Sequence, residues 1–147
     1  MMKNAFFARE EHIPLIAELE KQTFSHPWSE SSLSTFFETE SALYAICLAD
    51  GELASYCTML LVLDEVQIIN VATAEKYKRQ GYAEAVIELT LEEARRRGIT
   101  SISLEVRESN VPAIALYEKF GFFKAGKRKD FYTDPRENAL VMIKSLD

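Results

Sequence analysis

The sequence predicts an α/β fold of the α+β kind, a mixed sheet of about six to seven strands with helices on its faces. Three observations carry that expectation. Strand-like segments outnumber helical ones; the Asp50-Gly51 pair joins two strands by a turn too tight for a crossover; and one long two-faced helical stretch separates two apolar strands in mid-chain. The tight hairpin excludes a strictly parallel sheet, because parallel neighbours need a longer connection.

Residues 4–9 read as a short opening strand. A helix over residues 12–24 follows, in which Ile13, Ile16, Ala17, Leu19 and Glu20 recur at helical spacing and Pro14 sits in the tolerant first turn. His26-Pro27-Trp28-Ser29 makes a turn, and Ser29 or Ser31 can cap a second short helix that turns Leu33, Phe36 and Phe37 inward. Residues 43–49, 53–63 and 66–72 are strands. The long helix spans residues 81–97. Glu84, Glu88 and Glu92 share one of its faces, while Ala83, Val86, Ile87, Thr90 and Ala94 fill another. Arg95, Arg96 and Arg97 complement its C-terminal dipole and Gly98 ends it. A strand over 100–106, a helix opened by Pro112 and closed by Gly121, and two strands over 122–130 and 139–144 complete the chain.

With 147 residues, 48% of them apolar, the chain suits one domain, residues 1–147, with a sizeable core. The formal charge of −6 argues against general affinity for nucleic acid and suits a basic peptide partner. No segment has the form of an export signal or a membrane span, so the expected location is the cytoplasm, away from the membrane. Cys47 and Cys57 lack metal-ligand spacing and read as buried strand thiols, and no metal is expected. His12 and His26 have no partner spacing and receive no chemical role.

Lys78-Arg79-Gln80-Gly81-Tyr82-Ala83 lies between an apolar strand and the long helix, where successive backbone amides can converge on an anion. Gly81 removes the side chain that would block close approach. The loop lacks both the Gly-Lys-Ser/Thr ending of a nucleotide P-loop and the three glycines of a dinucleotide turn. Taken alone it also fits a solvated basic turn that caps a helix. Further on, Leu104-Glu105-Val106-Arg107-Glu108-Ser109-Asn110 ends a strand and Ala115-Leu116-Tyr117-Glu118-Lys119-Phe120-Gly121-Phe122 lies in the next helix, close enough in sequence to face one cleft.

On these segments and on the order of its elements, the chain resembles the GCN5-related N-acetyltransferase (GNAT) family over nearly its full length. The resemblance implies a strongly bent, mostly antiparallel mixed sheet, split open between its central strands, with helices on both faces. It implies acetyl-CoA as the acetyl-donating cosubstrate, with its pyrophosphate on the amides of the loop. Lys78 stands at the family's Gln-or-Arg position, Gly81 and Ala83 at its two small ones. Cofactor contacts are expected from Lys78, Arg79, Gln80, Gly81, Tyr82, Ala83 and Glu84, from the backbone of Val71, Ala72 and Thr73 to the pantetheine arm, and from Asn110.

Acetyl transfer to an amine needs a group to remove a proton from nitrogen and a donor for the departing thiolate. The strings LEVRESN and ALYEKFGF resemble a branch of the family, the RimI-type ribosomal-protein-alanine N-acetyltransferases, in which the matching Glu is the general base and the matching Tyr the general acid. Those are Glu105 and Tyr117 here. Considered singly, a strand-end Glu is usually a solvated charge and such a Tyr usually packing. His26-Pro27-Trp28-Ser29, Leu63-Asp64-Glu65, Arg128-Lys129-Asp130-Phe131-Tyr132 and Glu137-Asn138-Ala139-Leu140 extend the likeness to segments where the branch binds its peptide, which makes Trp28, Glu65 and Tyr132 candidate substrate contacts. The implied acceptor is the N-terminal alanine of a ribosomal protein. Two alternatives stand beside it: a family member acting on a small amine or a lysine side chain, and a catalytically silent acetyl-CoA-binding module.

Overall fold

A computed structural model describes residues 3–146. The chain runs through β1 (Ala5–Phe7), α1 (Ile13–Thr23), α2 (Glu30–Phe37), β2 (Ala42–Ala49), β3 (Glu52–Val62), β4 (Glu65–Thr73), α3 (Tyr82–Arg96), β5 (Ser101–Arg107), α4 (Val111–Lys119), β6 (Phe123–Thr133) and β7 (Arg136–Ser145). All seven strands form one sheet in the order β1-β2-β3-β4-β5-β7-β6, and only the β4–β5 pair is parallel. At the β2–β3 turn Asp50 and Gly51 both take positive φ, 51° and 80°, as the hairpin signal requires. Ser29 caps α2, its hydroxyl accepting from the Ser32 amide at 3.0 Å.

Helices cover both faces because the strands alternate two sets of buried side chains. On β2, Ala45 and Cys47 face α3 and α4, whose Val86, Ile87, Leu91, Ala94 and Ile114 complete one cluster. Tyr44 and Ile46 face the other way, against Ile13, Ile16, Leu19 and Leu33 of α1 and α2. Each large side chain buried here stabilises the fold by roughly 1.5–3 kcal/mol before the cost of ordering it. Cys47 and Cys57 are free and buried, and burial pushes the Cys57 thiol up to about 12. Among the described residues no helix is long and apolar enough to cross a membrane.

One boundary differs from the sequence reading. Residues 131–138, expected as a loop, extend both strands of the last hairpin: β6 runs on to Thr133 and β7 begins at Arg136. The ladder breaks after Arg128 and resumes at Tyr132, with Asp130 at φ 52° in the bulge and its amide bonded to the Asn138 side chain at 2.9 Å. An edge strand exposed along nearly its whole length carries no apolar alternation, so its pattern resembles a loop.

Candidate active site

The site begins where two strands part. β4 and β5 pair only from Glu65 opposite Ser101 to Gln67 opposite Ser103. Beyond that point an extra residue on β4, Ile69, falls between the pairs Thr58–Asn70 and Met59–Ile68, while β5 continues straight along β7. A bulge of this kind bends one strand out of the plane of its neighbours. The result is a cleft of about 580 Å³, lined by residues 67–71 of β4 and 104–107 of β5, by Asn110 and Tyr117, by the segment after α1 from Thr23 to Trp28, and by the hairpin tip from Phe131 to Pro135.

Antiparallel alternation decides which backbone groups of β4 remain free. The Ala74 amide donates to the Ala54 carbonyl at 2.8 Å, so Ala72 and Tyr56 form the next hydrogen-bonded pair. The N–H and C=O groups of Val71 and Thr73 therefore point away from β3, to the side that β5 has left. Ala72 does not share that exposure: its backbone is turned to β3, and its carbonyl also accepts from the Ser55 hydroxyl at 2.8 Å. Of the three expected positions, Val71 and Thr73 turn free backbone groups to that side and Ala72 does not.

The loop before α3 has the form an anion needs. Gly81 is the N-cap in the left-handed region at φ 90°, with open space where a Cβ would stand, and Arg79 also takes positive φ at 61°. No side chain caps the helix, so the amides of Tyr82, Ala83 and Glu84 have no acceptor among the described residues. The side chains face elsewhere. Lys78 Nζ pairs with Glu75 at 2.8 Å, Gln80 Nε2 donates to the Lys76 carbonyl at 2.9 Å, and the Tyr82 ring packs edge-on against Tyr77. Glu84 pairs with Lys119 of α4 at 2.9 Å, leaving its amide as the only group it can offer an anion. These features fit a diphosphate held by main chain.

Glu105 of β5 and Tyr117 of α4 both line the cleft. Arg128 Nε stands 2.5 Å from Glu105 Oε2, which leaves Oε1 without a partner among the described residues. Tyr117 is only 6% exposed and lines the cleft. Burial, aided by Cys57 and Tyr132, holds the phenol above its ordinary range, so it keeps its proton at neutral pH. Asn110 lies on the rim as the N-cap of α4, its Oδ1 accepting from the Ala113 amide at 3.3 Å.

On the opposite wall Trp28 packs edge-on against Phe36. Tyr132 lies under the Arg107 guanidinium, 4.3 Å from its ring centre, and burial followed by the Glu105 charge raises its phenol. Glu65 is different. It sits where β4 and β5 are still paired, so no cleft exists at its level and it does not line the site. Several lining or supporting residues had no role of their own in the sequence reading. Arg107 Nη1 donates to the Pro135 carbonyl at 2.8 Å and to Glu137 at 3.2 Å, while Glu137 accepts from the Ser109 amide at 2.6 Å, tying the hairpin tip to the end of β5. Glu20 was legible only as a carboxylate in an apolar helical stripe, a signal that marks a buried polar contact without naming its partners.

A family model described as "Acetyltransferase (GNAT) family" matches residues 13–122. The chain belongs to the GNAT acetyltransferase family. Among GNAT relatives, a putative [ribosomal protein bS18]-alanine N-acetyltransferase from Bacillus subtilis is 38% identical over 91% of this chain and 89% of its own length. The [ribosomal protein bS18]-alanine N-acetyltransferase of Escherichia coli K12 is 36% identical over 88% of each. A crystal structure of the Escherichia coli ribosomal-protein-S18-alanine N-acetyltransferase superposes with a TM-score of 0.90 at 33% identity, covering 99% of this chain and 95% of that one. GNAT enzymes generally use acetyl-CoA, and the parted strands and open amides above are the features of this chain that suit it.

Proposed function

We propose that this protein transfers an acetyl group from acetyl-CoA to the N-terminal α-amine of alanine on a ribosomal protein, with Glu105 as general base and Tyr117 as general acid. The observation that carries the reading is that those two residues, from different elements, both line the cleft where β4 and β5 separate. The names of the relatives support the acceptor.

Acetyl-CoA, when bound, supplies an activated acyl group as a thioester. The chain's own part begins with the amides of the Gly81 loop and the free backbone of Val71 and Thr73, which orient that cosubstrate along the cleft. Arg128 fixes one oxygen of Glu105, and the other accepts the proton from the acceptor nitrogen, directly or through water. Tyr117 donates its hydroxyl proton towards the departing sulfur and regains one from solvent. A terminal α-amine titrates near about 8 and a lysine near about 10.4, so a carboxylate base has less to do with the former. The charge of −6 favours approach of a basic ribosomal partner.

The test pairs two peptides of one sequence, one with a free N-terminal alanine and one with that terminus blocked and an internal lysine free. Mass spectrometry is expected to find acetyl on the free alanine alone. Acetyl on the lysine, or thiol release only with small amines, would overturn the acceptor; no thiol release with any amine would overturn the enzyme reading.

A further inference from the structure

Beneath the cleft lies a carboxylate that the mechanism above does not use. Glu20 on α1 is 1% exposed, and three neutral donors from three other parts of the chain converge on its two oxygens. Trp28's backbone N–H donates to Oε1 at 3.0 Å; Asn70 Nδ2 donates to Oε2 at 3.0 Å; and the Tyr56 hydroxyl of β3 makes a short bond to Oε2. Burial and then the Glu20 charge hold the Tyr56 phenol above its ordinary range, which keeps it a donor.

Two of these three donors belong to residues that line the cleft, and they belong to opposite walls. Trp28 ends the Thr23–Trp28 segment, whereas Asn70 lies on β4 beside the extra residue Ile69 that bends the strand from β5. One buried side chain therefore sets the distance between the segment after α1 and the bent strand. An acceptor of all three donors is needed at that point. A neutral amide there would turn its own N–H₂ towards a donor, leaving a buried polar group unsatisfied.

We propose that Glu20 is a positioning residue for the acceptor: it fixes the Thr23–Trp28 wall against β4 and so sets the width of the acceptor side of the cleft, without touching the groups that hold acetyl-CoA. The proposal rests on the reading that this wall receives the acceptor peptide. Its consequence is a split in kinetic constants, because a displaced acceptor wall weakens acceptor binding while the donor end and the Glu105–Tyr117 pair stay in place.

The experiment compares the full-length wild type with Glu20→Gln and with the double variant Glu20→Gln, Asn70→Asp, which reverses the donor and acceptor of one link and keeps the buried charge. The Tyr56 hydroxyl, which meets Asn70 at the same oxygen of Glu20, can then accept from the new amide at position 20 and donate to the new carboxylate at position 70. For Glu20→Gln the acceptor KM is expected to rise about tenfold, with kcat and coenzyme A affinity within about twofold. The double variant is expected to recover most of the lost KM. An unchanged KM, a parallel loss of kcat and coenzyme A affinity, or a double variant no better than the single one would overturn the proposal. Should the single variant not fold, the double variant decides alone: a KM near that of the wild type supports the proposal and a raised one overturns it. Hydrogen exchange separates this from failure of the acceptor reading, because it needs no acceptor. Faster exchange confined to residues 24–28 supports the positioning role, and exchange at the wild-type rate there, or faster exchange throughout the sheet, overturns it.

Discussion

The two ends of the cleft are built from different materials. At the end proposed for the acetyl donor the groups on offer are main chain: the amides after Gly81 and the free N–H and C=O groups of Val71 and Thr73, while the Lys78, Gln80 and Glu84 side chains are engaged elsewhere. At the end proposed for the acceptor they are side chains held by other side chains: Tyr132 under Arg107, Trp28 packed on Phe36, Glu105 beside Arg128. Main chain at a helix start presents the same dipoles whatever the neighbouring side chains are, which suits a cosubstrate shared by a whole family. Side chains can be exchanged one at a time, which suits an acceptor that differs between members.

The contrast can be broken by substitution. Glu105→Gln is expected to lower kcat roughly 10²–10⁴-fold while coenzyme A affinity, measured by calorimetry, stays within about twofold. A parallel loss of affinity would show that the two ends are not separable. Tyr117→Phe should lower kcat by about 10²-fold with little change in Tm, since the variant keeps the ring that packs against Phe122; a lower Tm with normal kcat would make it a packing residue.

At the donor end, Gly81→Val forces a β-branched residue to φ 90°, a strain of about 1–3 kcal/mol, and coenzyme A binding is expected to weaken about tenfold. Beneath both ends, Cys57 titrates near 12 in the fold against an ordinary value of 9.0, and Tyr44, Tyr56 and Tyr117 are raised as well. Raised acids favour the protonated native state, so their contribution is complete below about pH 9. It then falls as the unfolded chain ionises first, by about 1.4 kcal/mol per pH unit for each group. Thermal melts from pH 8 to 12 should show that decline, and a flat profile would contradict the burial of these groups. The smallest effects sharpen the comparison: Lys78→Ala and Glu84→Ala are each expected to change coenzyme A affinity by no more than about twofold, because their side chains pair at the surface. A tenfold loss in either would mean that side chains share in the donor end.

How much of this was legible in the sequence follows the same division. Gly81 at the start of a long amphipathic helix, the Asp50-Gly51 turn, the Ser29 cap and the strand-helix pair carrying Glu105 and Tyr117 are local patterns, set by φ preferences, capping and periodicity within a few residues. The sequence by itself thus determined the elements, nearly all of their order, and where a main-chain anion site can form. Only the tertiary structure decided that β4 and β5 part after Gln67, that Ala72 turns to β3 while Val71 and Thr73 do not, that Glu65 stays outside the cleft, and that Glu20 gathers donors from 8, 36 and 50 residues away. Those outcomes depend on register and on contacts between distant segments, which no local pattern encodes.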